Sequence, residues 1–199
     1  MIINECHKDL LAELASIGAG NAATALSQML QDQVITLQVP EVKIAPLQDI
    51  PASLGDPEQE VAAVLLEASG DGVSLTVVLV LSLQAAVQLI TRLLPEDCDP
   101  LGEMGSSLLM ELGNILVSSY LGALSTMTGF TLRLTPPSLG LDMAGALLGS
   151  VIAEKMMLED NFILIKNTMH AFNEDIEGSL LLLPETGSLE KIYRQMGVC

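Results

Sequence analysis

The chain repeats itself, and that repeat limits its folds more than any other feature. DLLAELASI (9–17) stands 98 residues before SLLMELGNI (107–115). Leu10/Leu108, Leu11/Leu109, Glu13/Glu111, Leu14/Leu112 and Ile17/Ile115 are identical across that offset, and the match resumes at Ala25/Ala123, Leu26/Leu124, Ser27/Ser125 and Met29/Met127. Each copy is followed by alternating polarity, VITLQVPEVKI (34–44) and FTLRLTPPS (130–138). Two strand-like runs come next in each half: VAAVLLEA (61–68) with VSLTVVLVL (73–81), and FILIKNTM (162–169) with GSLLLLP (178–184). Helical segments close the halves, LQAAVQLITRLL (83–94) and SLEKIYRQM (188–196). Such self-similarity means one supersecondary unit used twice, here helix–strand–strand–strand–helix by its periodicities.

The expected fold is therefore α+β: an internally duplicated, pseudo-two-fold domain whose shared, mostly antiparallel sheet is covered by helices. A single domain would span 1–199, with repeat one about 1–98 and repeat two about 99–199. Two independent domains of half that length are the alternative, but aromatics make up only 3% of the chain to fill them. The junction falls in EDCDPLGEMG (96–105), and SGDG (69–72) fits a hairpin turn. The halves differ in one place. The first has a loop, PLQDIPASLGDPEQE (46–60), where the second has a helical pattern, DMAGALLGSVIAEKMMLED (142–160).

Charge narrows the function. Half of the 199 residues are apolar, but 25 acidic residues face 8 basic ones, for a net charge of −17. Neutralising phosphates needs Lys and Arg, so the balance argues against nucleic acid and an anionic membrane surface. It leaves open a basic partner face, or a metal carried by a partner. MIINECHKDL has neither the basic nor the apolar region of a secretory leader. Cys6, Cys98 and Cys199 are odd in number, far apart and without a C-x-x-C, so reduced thiols in a cytoplasm are expected. Segments 14–31, 72–91 and 112–132 carry no charge, but polar residues or glycine interrupt each one. A spanning helix wants about 20 predominantly apolar residues, and 72–91 reads instead as a buried strand running into a helix. No membrane insertion is expected.

On a helical wheel of about 100° per residue with Ser107 at zero, Glu111 falls near 40° and Asn114 near −20°. Leu108, Leu112, Ile115, Leu116 and Ala123 gather between about 80° and 180°. The helix thus buries a leucine stripe and displays Ser107, Glu111 and Asn114 together. Asp9, Glu13 and Ser16 hold the same three places in the first copy. A solvated face with Ser107 or Asp9 near an N-cap is the plain alternative, weakened because the same Glu recurs in both copies.

Ser107-x3-Glu111-x2-Asn114-x22-Pro137 matches the [DS]-x3-E-x2-N-x22-P signature of the CheC/CheX/FliY family of chemotaxis phosphatases. GAGNAATAL (18–26) also resembles the stretch after the first motif of that family's duplicated members. The resemblance covers essentially the whole chain. The first copy departs from it: Asp9 and Glu13 fit, but Ser16 stands where the signature wants Asn, and Pro40 comes one residue late. Serine is too short to replace a carboxamide, so the first site is expected to be degenerate.

The resemblance implies a substrate: a phosphorylated CheY-type response regulator, whose aspartyl phosphate brings its own Mg²⁺. The phosphatase then needs no cofactor or metal of its own, only to bind the regulator and orient one water in line with phosphorus. Asn114 is the expected water-orienting residue, because a carboxamide both accepts and donates. Glu111 would pair with the regulator's active-site lysine. Pro137 would be structural, and Ser107 would cap or orient. CheC-like proteins also bind the receptor deamidase CheD, so a non-catalytic binding module regulating CheD is the alternative function. Its surface would be a 142–158 helix beginning at Asp142, with Ala144-Gly145-Ala146 and Met156-Met157 permitting close approach. A flagellar switch component is a third reading, for which no appended switch domain follows the duplication.

Other signals point elsewhere and are weaker. Gly18-Ala19-Gly20-Asn21-Ala22-Ala23 fits G-x-G-x-x-A, with Glu41 about twenty residues on, but a dinucleotide fingerprint must follow a strand. DLLAELAS before it is helical, so these small residues are read as helix-packing positions. His7 and His170 have no ligand-spaced companions. The acidic clusters 96–99 and 174–177 read as turns or solvated faces, and the ten Met as core filler or interface.

Overall fold

The computed structural model describes residues 5–30, 34–95, 98–154 and 160–197. The chain runs α1 (Glu5–Met29), β1 (Thr36–Pro46), a 3-10 turn (Leu47–Asp49), α2 (Ile50–Leu54), β2 (Glu60–Gly70), β3 (Val73–Ser82) and α3 (Leu83–Leu93). The second half follows as α4 (Glu103–Thr128), β4 (Arg133–Leu134), β5 (Ser138–Met143), α5 (Ala144–Glu154), β6 (Asn161–Ala171), β7 (Glu174–Pro184) and α6 (Ser188–Gln195). Cys199, Met156-Met157 and part of the 96–99 cluster lie outside the described residues.

All seven strands form one antiparallel sheet in the order β1-β6-β7-β3-β2-β4, with β5 also pairing β2. The order is interleaved. The first strand of repeat one pairs with the hairpin of repeat two, and β4 and β5 of repeat two pair with the hairpin of repeat one. Each half thus completes the other's sheet.

Side chains sort by the period of two. Val64, Leu66, Leu75, Val77, Leu79, Ile163, Ile165, Leu180 and Leu182 pack beneath α1, α4 and α6. Val61, Ala63, Val78, Val80, Phe162, Leu164, Leu181 and Leu183 pack beneath α2 and α5. Because both faces are covered, the central strands are near-continuous apolar runs rather than alternating ones. Both hairpins turn on left-handed pairs, Asp71 (φ 49°) with Gly72 (φ 72°), and Phe172 (φ 55°) with Asn173 (φ 60°). That geometry suits the right-handed twist of the strands. The second turn lacks glycine and gave no sequence signal.

Three expectations on local structure are corrected. The 46–60 loop contains the 3-10 turn and α2, held by Ile50, which is fully buried. This short element sits after β1 as α5 sits after β5, so the halves differ in helix length rather than in the presence of a helix. The 130–138 run is no single strand: it breaks at Thr135-Pro136-Pro137 and resumes as β5. Proline there has no N–H for the ladder, and Thr135 takes over the pairing, its N–H donating to Glu67 O while its Oγ1 accepts from Glu67 N, both at 2.9 Å. Finally, Asp142 does not begin a helix. It lies in β5 opposite Val61, and the helix starts at Ala144.

Candidate functional site

α4 is a 26-residue helix that starts after Gly102 and ends on Gly129 in the left-handed conformation (φ 74°) that favours glycine as a helix stop. Its N-cap is Gly102, so Ser107 lies in the second turn and caps nothing; Asp9 likewise lies inside α1. The buried side of α4 is broader than the expected stripe and turned relative to it. Leu109, Leu112, Gly113, Val117, Tyr120, Ala123 and Leu124 are buried, whereas Leu108, Ile115 and Leu116 are half-buried. The turn arises because α4 packs against α1 at Tyr120, opposite Gly18, as well as against the sheet at Gly113, opposite Val64. By length and composition α4 alone among the described helices could cross a membrane; here its apolar side is the floor of the core.

Ser107 and Glu111 are exposed and Asn114 is half-buried, all on the side away from the sheet. Asn114 sits closer to the buried arc because Val117 and Leu121 border it on the wheel. Ser118 Oγ donates to Asn114 Oδ1 at 3.5 Å, a long contact from one turn further on. Asp9, Glu13 and Ser16 are exposed on α1 in the same pattern. The structure therefore places both triplets on accessible helix faces. Pro137 is half-buried at the break between β4 and β5, a place consistent with shaping the chain. Pro40 falls at the matching bulge between Gln38 and Glu41.

The glycine motif is helical throughout. A Cβ on Gly18 would stand 2.6 Å from Tyr120 Cδ1 and 3.0 Å from Tyr120 Cα, so this glycine lets α1 and α4 touch. Gly20 faces open space. His7 is buried, its ring edge-on to Tyr193 at 4.2 Å between centroids. In the 174–177 cluster, Glu174 accepts from Arg92 Nη2 at 2.6 Å and Asp175 lies 2.8 Å from His170 Nδ1. Among the described residues no group of His, Cys, Asp and Glu is arranged to hold a metal. Asp142 is exposed, between Leu141 and Met143, which are 42% and 44% exposed although large and apolar.

A cavity of about 600 Å³ lies on the opposite sheet face beside Leu54, Gln59, Val80, Ala144, Lys166 and Glu177. It contains none of the motif residues. The motif face is a surface rather than a pocket, a shape suited to another protein rather than to a small molecule.

Sequence comparison matches the CheC-like family over residues 7–44 and 104–141, one match per repeat. The chain is 31% identical over 202 aligned residues to a Bacillus subtilis protein named CheY-P phosphatase CheC, covering 98% of this chain and 96% of that one. The fold is similar to the crystal structure of Thermotoga maritima FliY, with a TM-score of 0.76, 21% identity, and coverage of 99% of this chain and 98% of that one. It is also similar to a chain of the CheX–CheY–BeF3–Mg²⁺ complex from Borrelia burgdorferi, with a TM-score of 0.51, 16% identity, and coverage of 87% and 97%.

Proposed function

Since the chain belongs to the CheC-like family, we propose that it is a cytoplasmic phosphatase that hydrolyses the aspartyl phosphate of a CheY-type response regulator. The observation that carries this reading is the accessible strip Ser107, Glu111, Asn114 on α4, intact in one repeat of a chain that is related along nearly its full length to a CheY-P phosphatase. Borrelia CheX was crystallised with CheY, BeF3 and Mg²⁺, so a fold of this kind can meet a regulator that carries its own cation.

The chemistry asked of the chain is small. The regulator supplies the acyl phosphate and Mg²⁺; this protein supplies position. Glu111, exposed one turn before Asn114, pairs with the regulator's active-site lysine and holds α4 in register. The Asn114 carboxamide reaches the phosphate, its oxygen accepting from the attacking water while its N–H₂ donates nearby. Water attacks phosphorus, the P–O bond to the aspartyl carboxylate breaks, and inorganic phosphate and the free carboxylate leave. No general base is required, because the carboxylate is a good leaving group. The first face offers Asp9 and Glu13 for docking, but Ser16 Oγ is too short to reach the water. Ser107 helps orient the docked helix, and Pro137 is structural.

The second reading, a partner surface for a CheD-like deamidase, is favoured by one observation. Asp142 lies exposed between two exposed apolar residues, Leu141 and Met143, on the strand that leads into α5. Asp142 lies on β5 and the motif strip on α4, so the two functions use different residues.

The deciding experiment is decay of acid-labile phosphate on the cognate phospho-regulator with and without this protein. Accelerated decay is expected, and an unchanged rate with folded protein removes the phosphatase reading.

A further inference from the structure

Beneath the helix that carries Asn114 lies a buried polar pair. Tyr120 is 1% exposed and Asn167 5%. The Tyr120 hydroxyl donates to Asn167 Oδ1, and Asn167 Nδ2 donates to Ile165 O at 3.1 Å. Burial raises the phenol's pKa far above its ordinary value, so it stays a neutral donor.

The duplication provides an internal comparison. Asn167 stands four residues before Ala171, the last residue of its strand; four before Gly70, the corresponding place in the first hairpin holds Leu66. The helix offset puts Ala22 where Tyr120 stands. The first repeat therefore lacks both members of the pair, and it also lacks the Asn of the motif. The tyrosine of the pair and the complete motif occur on the same helix, and the asparagine on β6 beneath it.

Apolar packing leaves a small void beneath α4 at this point. Leu112 and Leu116, two residues to either side of Asn114, line a cavity of about 30 Å³ together with Leu79, Asn167 and Gly178. Apolar contact is non-directional, and atoms that face a void lose their partners. A satisfied buried hydrogen bond is directional and selects one arrangement.

We infer that the Tyr120–Asn167 bond is a positioning contact for the phosphatase reaction, setting the rotation and height of α4 over the sheet so that Asn114 meets the phosphate in one orientation. The inference rests on the reading of Asn114 as the water-orienting group. Neither Tyr120 nor Asn167 touches substrate. The reaction consists almost wholly of positioning, so a displacement of a fraction of an ångström is felt in kcat.

The test compares N114A, Y120F, N167L and Y120F/N167L, measuring kcat, KM and melting temperature with phospho-regulator. Y120F keeps the ring against Gly18 and is expected to lower kcat about tenfold with KM within about twofold. The double variant removes both polar groups, so its melting temperature should return toward wild type while kcat stays low. Recovery of kcat together with melting temperature would show a merely structural pair and overturn the inference. So would a Y120F enzyme with wild-type kcat, and that split alone decides if the double variant does not fold. Full turnover by N114A would instead remove the reading of Asn114, and this inference with it; an inactive N114A beside a fully active Y120F removes positioning alone.

Discussion

Leu79 of β3 pairs with Leu180 of β7, and each is the sixth residue beyond the first residue of its own strand. The pseudo-two-fold axis passes through this pair, so the duplication meets itself at the centre of the sheet. Equivalent positions can then be read from strand register. By that measure Pro40, in the bulge after Gln38, corresponds to Pro137, in the break after Thr135. The proline that comes one residue late relative to the α1 motif is thus in place relative to the sheet. The one-residue difference arises between Met29, which matches Met127 at the helix offset, and Gln38, which matches Thr135 by register.

Replacing Asn114 by Ala should reduce dephosphorylation by about a hundredfold. The side chain is half-buried and takes a long bond from Ser118, so unfolding free energy should change by no more than about 0.5 kcal/mol. Phosphate-release kinetics and a denaturant titration check both parts. Equal turnover by folded wild type and variant sinks the catalytic assignment.

At the first face, Ser16→Asn should raise turnover more than Ser16→Ala lowers it. Ser16 is exposed and lies with Asp9 and Glu13 on α1, so what is missing is the carboxamide. The cleanest background is Asn114→Ala, where the second site is silent. A loss on Ser16→Ala as large as that on Asn114→Ala would mean that serine already works.

Asp142→Ala should weaken binding of a cognate CheD-like protein about tenfold and leave turnover measured without that protein unchanged, because Asp142 lies on β5 and the motif on α4. A tenfold change corresponds to about 1.4 kcal/mol. Titration calorimetry with both forms reads it. Identical affinities remove Asp142 from the interface, and no binding to wild type leaves α5 as ordinary packing.

Gly18→Ala and Gly20→Ala should act in opposite directions. The new methyl at 18 meets the Tyr120 ring and backbone, an overpacking that costs about 1–3 kcal/mol. At 20 it enters open space in a helix interior, where alanine is favoured over glycine by about 0.5–1 kcal/mol. Thermal melts of the two variants decide it; stabilisation by Gly18→Ala would show that α1 and α4 do not need this close approach.

Local chemistry written in short stretches was legible without a structure. The copies starting at Asp9 and Ser107 gave the duplication, and the offset gave the equivalence of Glu13 and Glu111. Alternation and leucine spacing gave most elements, since burial on one side of a helix or strand leaves a periodic mark. The display of Ser107, Glu111 and Asn114 together also followed from helical geometry. Tertiary structure decided what depends on partners far along the chain. The interleaved strand order, with β1 on β6 and β5 on β2, leaves no local trace, because any of these strands has the same apolar pattern whichever neighbour it joins. Nor could periodicity show that α4 would turn toward α1 and take Val117 and Tyr120 inward, or that Asp142 would be drawn into a ladder opposite Val61. The bond from Tyr120 to Asn167 joins residues 47 positions apart. A tyrosine and an asparagine read singly look like surface residues, and only burial, which forces each polar group to find a partner, makes them a pair.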